Sequence, residues 1–204
     1  MLGKREKKKV ETKKKIIEVA YKMFDENGYE NTSINDIAKE SGLGVGTVYN
    51  YFPSKDNIFV ETFEKKMQNT LDKDYIIKKH NDKEVYEIIN EYINNFDIGF
   101  KYIPKQLLLE LFRIVVGSKK NMKMLNKFAE MDFKFIDKIE VILIELKNEG
   151  KLNESADARN LSEIIYSIYA FELMMYIYNK GMTFEEATRK INKKVYILFK
   201  DYSK

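Results

Sequence analysis

Residues 32–59, TSINDIAKESGLGVGTVYNYFPSKDNIF, decide the fold of this chain. Ser33 precedes an apolar run and has Asp36 three positions on, the pattern of a reciprocally capped helix start. That helix is expected over Ile34 to Ser41. A tight turn, Gly42-Leu43-Gly44, follows, and Gly42 suits a left-handed position that a β-carbon would disfavour. A second, very short helix is then expected from Val45 to Tyr51. Ile37, Ala38, Leu43 and Val48 are spaced to hold the two helices together, and the small Ala38 lets them approach closely. A short helix, a glycine-bearing turn and a second short helix have the form of a helix-turn-helix, whose second helix projects into a DNA groove. The outward residues of that second helix are Val45, Gly46, Thr47, Tyr49, Asn50 and Tyr51.

Outward from this stretch the pattern stays helical, with apolar residues recurring at three and four rather than alternating. Upstream, a helix is expected from about Lys13 to Asn27, capped by Thr12, with Ile16 or Ile17, Ala20 and Phe24 inward and Gly28 as its stop. Downstream, Ser54 caps a long helix through Ile58, Phe59, Phe63 and Met67 towards Lys79. A second region begins near Asn81 with helices over Glu84 to Phe100, from Pro104, and along the stripe Leu125, Phe128, Met131, Phe135, Ile139, Ile142 and Leu146. Two more cover Ala156 to Asn179 and, behind a Thr183–Glu186 capping box, the stripe Ala187, Ile191, Val195 and Leu198. The expectation is an all-α chain of about nine helices. Its division is a DNA-binding domain over residues 1–53 and a helical ligand-binding and dimerisation domain over 54–204.

The chain has 204 residues and no cysteine, which rules out disulfides, thiolate zinc sites and cysteine nucleophiles. Its net charge of +4 is uneven. Residues 1–15 carry eight bases (Lys4, Arg5, Lys7, Lys8, Lys9, Lys13, Lys14, Lys15) against Glu6 and Glu11, leaving +6 there and −2 elsewhere. A basic arm on a near-neutral body suits an anionic polymer, though such a run is also how a solvated tail reads. The most apolar run, Ile164 to Tyr178, is broken by Ser167 and Glu172 and is too short for a membrane span. With a Lys-rich start that lacks an apolar stretch, a cytoplasmic location with no membrane partner is the expectation.

Gly28-Tyr29, Thr32 to Ala38, Gly42 to Phe52 and Ser54 to Phe59, taken in register, resemble the DNA-binding head of the tetracycline-repressor (TetR) family. The resemblance covers about residues 12–60. It implies a homodimer that sets its third helix in the major groove of each half of a double-stranded DNA operator. The positions matching the family's DNA-facing ones are Ser33, Val45, Gly46, Thr47, Tyr49, Asn50, Tyr51 and Lys55. Many members have Ser where this chain has Gly44, so one phosphate contact is expected to be missing. The function implied is transcriptional regulation, most often repression, relieved by a small-molecule effector. The alternative is a DNA binder of the same fold that is controlled by a protein partner or takes no small ligand.

No cofactor is expected, because no phosphate loop, dinucleotide fingerprint or paired acid and base appears. An enzyme is therefore not expected. His80, the single histidine, lies in a polar stretch and is a poor metal ligand. The candidates for contact with an effector are Phe112, Phe128, Met131, Tyr169 and Glu172, since bundles hold ligands between helices. Glu172 interrupts an apolar run, so its carboxylate needs a partner: either a cationic or hydroxyl-bearing effector, or a tyrosine or lysine of the same bundle.

Overall fold

The computed structural model describes residues 3–71, 83–101, 103–117 and 122–200. His80 and Lys79 lie outside them. Among the described residues the elements are α1 (Lys4–Asn27), α2 (Ile34–Glu40), α3 (Val45–Tyr51), α4 (Lys55–Leu71), α5 (Val85–Lys101), α6 (Lys105–Gly117), α7 (Met122–Asn148), α8 (Ala158–Tyr178) and α9 (Phe184–Phe199). The chain is all-α, as its periodicity predicts. None of these helices is long and apolar enough to cross a membrane.

The chain divides into two compact units. The first comprises residues 1–69 and 103–124, and therefore α1 to α4 together with α6; the second comprises residues 70–102 and 125–204.

The core of the first unit is built on rings. Phe59 of α4 is fully buried, and its ring centroid lies 5.0 Å from Phe24, 4.8 Å from Tyr29 and 4.9 Å from Phe63. Edge-on packing of this kind adds to what burial of the rings contributes. Ile16, Ile17, Ala20 and Phe24 form the buried face of α1. Gly28 ends α1 at φ 80°, its N–H donating to the Phe24 carbonyl. The chain then turns inward, so that Tyr29 joins the ring cluster. Burial and a hydrogen bond to the Asp56 carboxylate both raise the Tyr29 pKa, so its hydroxyl stays protonated.

One boundary differs from the expectation. Thr12 does not cap α1. The helix starts nine residues earlier than expected, at Lys4, and Thr12 lies inside it with its hydroxyl donating to the Lys8 carbonyl at 2.8 Å. Lys, Arg and Glu are strong helix formers, and the run from Lys4 to Thr12 holds neither Gly nor Pro, so no helix breaker stops the helix from extending backwards. Glu6 supports the new start by accepting from the Gly3 N–H at 3.1 Å.

In the second unit α9 packs against both α5 and α8. Phe96, Phe135 and Tyr169 cluster there, with Phe135 centred 4.6 Å from Phe96 and 5.2 Å from Tyr169. Asp97 is buried beside them and accepts from Thr188 Oγ1 at 3.0 Å. Burial raises the Asp97 pKa to about 6, against the opposing pull of the Tyr169 and Thr188 hydroxyls. The folded protein thus holds this proton more tightly than the unfolded chain does. Stability is full below the unfolded value, falls as pH rises from about 4 to 6, and stays lowered above that. Asp97→Asn is therefore expected to raise stability by about 1–3 kcal/mol at pH 7.5, and by roughly a third of that at pH 4.5. Denaturant titrations followed by far-UV circular dichroism at the two pH values measure this. An equal effect at both would show that the carboxylate carries no penalty.

Candidate nucleic-acid interface

Local interactions set the geometry of the α2–turn–α3 segment. Ser33 caps α2: its Oγ accepts from the Asp36 N–H at 3.2 Å, and Asp36 Oδ2 accepts from the Ser33 N–H at 3.0 Å. The Ser33 hydroxyl and then its N–H hold the Asp36 carboxyl below the usual range. At the other end Gly42 sits at φ 64°, its N–H bonding the Lys39 carbonyl at 3.0 Å while the Leu43 N–H reaches the Ala38 carbonyl at 2.9 Å. This pair of bonds is the Schellman closure of a helix, and it turns the chain sharply into α3. Ser41 is buried and donates to the Ile37 carbonyl at 2.7 Å, closing the same end of α2.

α3 is anchored by one side and open on the other. Val48 is 0% exposed, and α3 packs against α2, where Ile37 and Ala38 are buried too. Val45 is 36% and Tyr49 53% exposed, and Gly46 and Asn50 share their open face. Thr47 and Tyr51, half-buried, flank that face. Gly44 caps α3 without a side-chain bond, which fits the missing serine. No Lys or Arg lies between Val45 and Phe52.

Two candidate residues have internal partners. Ser33 is exposed but its hydroxyl is engaged by Asp36. The Lys55 ammonium donates to the Tyr29 carbonyl at 2.9 Å and stands 4.0 Å from the centre of the Tyr29 ring. These contacts span twenty-six residues, so no local pattern announces them. The sequence places Lys15 in the basic arm; the structure sets its Nζ 4.0 Å from where a β-carbon on Gly42 would stand, beside the turn into α3.

The model of bacterial regulatory proteins of the tetR family matches residues 16–62. Over these residues the head is similar to the tetR family. Its matched span runs from the first buried residue of α1, Ile16, through α2 and α3 into α4. An HTH-type transcriptional regulator of Staphylococcus aureus is 36% identical over 94 residues, 45% of this chain and 51% of that protein. The chain thus spans about half the length of the curated relatives it matches. Beyond that head, likeness lies in the fold. A putative TetR-family regulator from Mesorhizobium loti superposes with a TM-score of 0.71 at 18% identity, covering 96% of this chain and 98% of that one. FadR of Thermus thermophilus, a TetR-family repressor solved with lauroyl-CoA, gives 0.67 at 18% identity over 92% and 93%.

The residues put forward for an effector are divided between the units. Phe112 is on α6 in the first unit and 45% exposed. Phe128, Met131, Tyr169 and Glu172 are in the second. Phe128 and Met131 are half-buried, and Tyr169 is buried within the ring cluster. Glu172 is 3% exposed and accepts from Lys194 Nζ of α9 at 2.6 Å, which leaves its Oε2 without a hydrogen bond. Lys194 also stands 4.9 Å from the centre of the Phe171 ring.

Proposed function

We propose that this protein is a transcriptional regulator, not an enzyme, that binds operator DNA as a homodimer through α3 and is released by a small-molecule effector. The open face of α3 carries this reading: Val45, Gly46, Tyr49 and Asn50 point outward from a tetR-like head while Val48 locks the helix from behind. Gly46 admits the DNA backbone closely. The hydroxyls of Thr47, Tyr49 and Tyr51 suit phosphates and base edges. Ser33 and Lys55 flank the face as further phosphate contacts, Lys55 with one of its three donors already given to Tyr29.

Dimerisation through α8 and α9 is supported by an exposed apolar stripe. Ile164, Phe171, Met175 and Tyr178 recur at helical spacing on α8 and are exposed, as are Tyr196 and Ile197 on α9. An apolar stripe of this length suits the self-complementary patch of a two-fold dimer. The effector would be held within the second unit, by residues among Phe128, Met131, Tyr169 and Glu172. A ligand reaching Glu172 has to join or displace Lys194. Release needs only a coupling of about 1–3 kcal/mol between the two sites. The chain passes between the two units three times, near residues 69, 102 and 124, so a change in the second unit has three covalent routes to the head.

Selection of binding sites from random duplex DNA tests the proposal. Arg or Lys paired to guanine is the commonest specific major-groove contact, and α3 has neither. Val45 and Thr47 offer methyl groups to thymine, and Asn50 offers an amide to adenine. The expected result is a two-fold symmetric consensus with half-sites about 34–36 Å apart, or a multiple, and A/T pairs beneath α3. A consensus rich in guanine beneath α3, or no enrichment, would overturn it.

A further inference from the structure

The first three turns of α1 are unusual as a helix. Residues 3–11 are exposed, so this segment has no core face to hold it. Its charges oppose it as well. Bases crowd the positive end of the helix dipole, and Lys4–Lys8, Arg5–Lys9 and Lys9–Lys13 set like charges four residues apart. Among the described residues Lys4, Arg5, Lys7, Lys8, Lys9 and Lys15 form no ion pair. By contrast Lys13 pairs with Glu61 of α4, and Lys14 stands 3.8 Å from Glu18. The sequence thus keeps a costly, uncompensated cationic rod.

The rod has a direction. Lys4, Lys8 and Lys15 fall four and then seven residues apart, which places them along one face of a helix; Glu11 is the acid that lies between them. Lys15 fixes where that face points, because its ammonium lies beside Gly42 at the turn into α3. The same face runs back from Lys15 to Lys4 over eleven residues, roughly 16 Å, and residues 4–11 of that stretch are exposed. Duplex DNA carries a phosphate charge about every 1.7 Å of its axis, so a rod of this reach spans many of them. An α-helix with side chains is about 10–12 Å across, while the minor groove is roughly 6 Å wide. A helical arm therefore does not thread the minor groove as an extended one would.

We infer that the Lys4–Lys8–Lys15 face of α1 is a second DNA-binding surface, which lies as a helix along backbone phosphates flanking the half-site read by α3. This rests on the proposed function. Duplex phosphates supply the opposite charge that the segment lacks, so binding should also firm up its helix.

The test uses the full chain, the selected duplex with ten base pairs of flank, and two variants. The triple variant Lys4→Gln, Lys8→Gln, Lys15→Gln removes the charges and keeps the helix. Val10→Pro keeps every charge but breaks the helix before residue 10; proline is tolerated at the first position of the shortened helix, so the core from Ile16 onward stays folded. The triple variant is expected to reduce the slope of log affinity against log salt by up to about 2–3 per protomer, from the 0.9 per phosphate contact, with an unchanged consensus. Val10→Pro is expected to weaken binding at least tenfold. Trimming the flanks is expected to bring wild-type affinity down to that of the triple variant. Amide exchange over residues 4–12 should slow on binding. An unchanged salt slope in the triple variant, or a Val10→Pro protein that binds like wild type, would overturn the inference and leave a solvated or unstructured cationic tail. Failure of the wild-type chain to bind any duplex would instead remove the proposed function, and this inference with it.

Discussion

Tyr49→Ala and Thr47→Ala are each expected to weaken binding to the selected operator by about 1–3 kcal/mol, roughly tenfold to a hundredfold, and together to abolish it. Neither residue lies in the head core. Tyr49 is more than half exposed and has no ring partner among the described residues, and Thr47 flanks the same face. Thermal midpoints and oligomeric state are therefore expected to stay within experimental scatter of wild type. The opposite pattern, a marked loss of stability with affinity intact, would show that Tyr49 packs rather than binds. Fluorescence anisotropy on the selected duplex, with a scrambled duplex alongside, measures the loss and its specificity. Non-specific binding is expected to survive, since it rests on the Lys-bearing surface rather than on α3.

Phe59→Ala is expected to have the largest effect on stability, about 3–5 kcal/mol, as for other buried rings cut back to a methyl. Phe59 is the ring that Phe24, Tyr29 and Phe63 all meet. Removing it opens a cavity where α1, α4 and the α1–α2 connection converge. A loss of that size is a large share of a typical domain's stability. The head should therefore melt first, and affinity for specific and scrambled DNA should fall together. Tyr49→Ala separates the two. Denaturant unfolding followed by circular dichroism, with the amide exchange of α2 and α3, decides the matter. A change below 1 kcal/mol would mean that the ring cluster does not hold the head together.

Much of the head was legible because its determinants act over a few residues. The Ser33–Asp36 cap, the Gly42 closure onto Lys39 and Ala38, and the inward Val48 each span six residues or fewer. Composition at those positions therefore carries the geometry. The start of α1 was harder to read for a reason that is also local. Lys and Glu favour a helix, while repulsion among the lysines disfavours it, and Val10 alone does not mark which prevails. Thr12 looked like a cap because capping residues announce themselves by type, yet a threonine about two turns into a longer helix satisfies its hydroxyl on the Lys8 carbonyl instead.

By itself the sequence determined the helical class, the turn and caps of the helix-turn-helix, and the residues on the outer face of α3, since backbone sterics and short-range hydrogen bonds settle these. Tertiary structure alone decided the pairings between distant segments. Lys55 rests on Tyr29 rather than standing free, and Lys194 answers the charge of Glu172 from a neighbouring helix. Lys15 comes to rest beside Gly42. Residues 103–124, far along the chain, join the compact unit of residues 1–69. A buried carboxylate or an unpaired ammonium announces that it needs a partner. Which one it takes depends on how amphipathic helices pack, and helical periodicity fixes each buried face but not the helix that covers it.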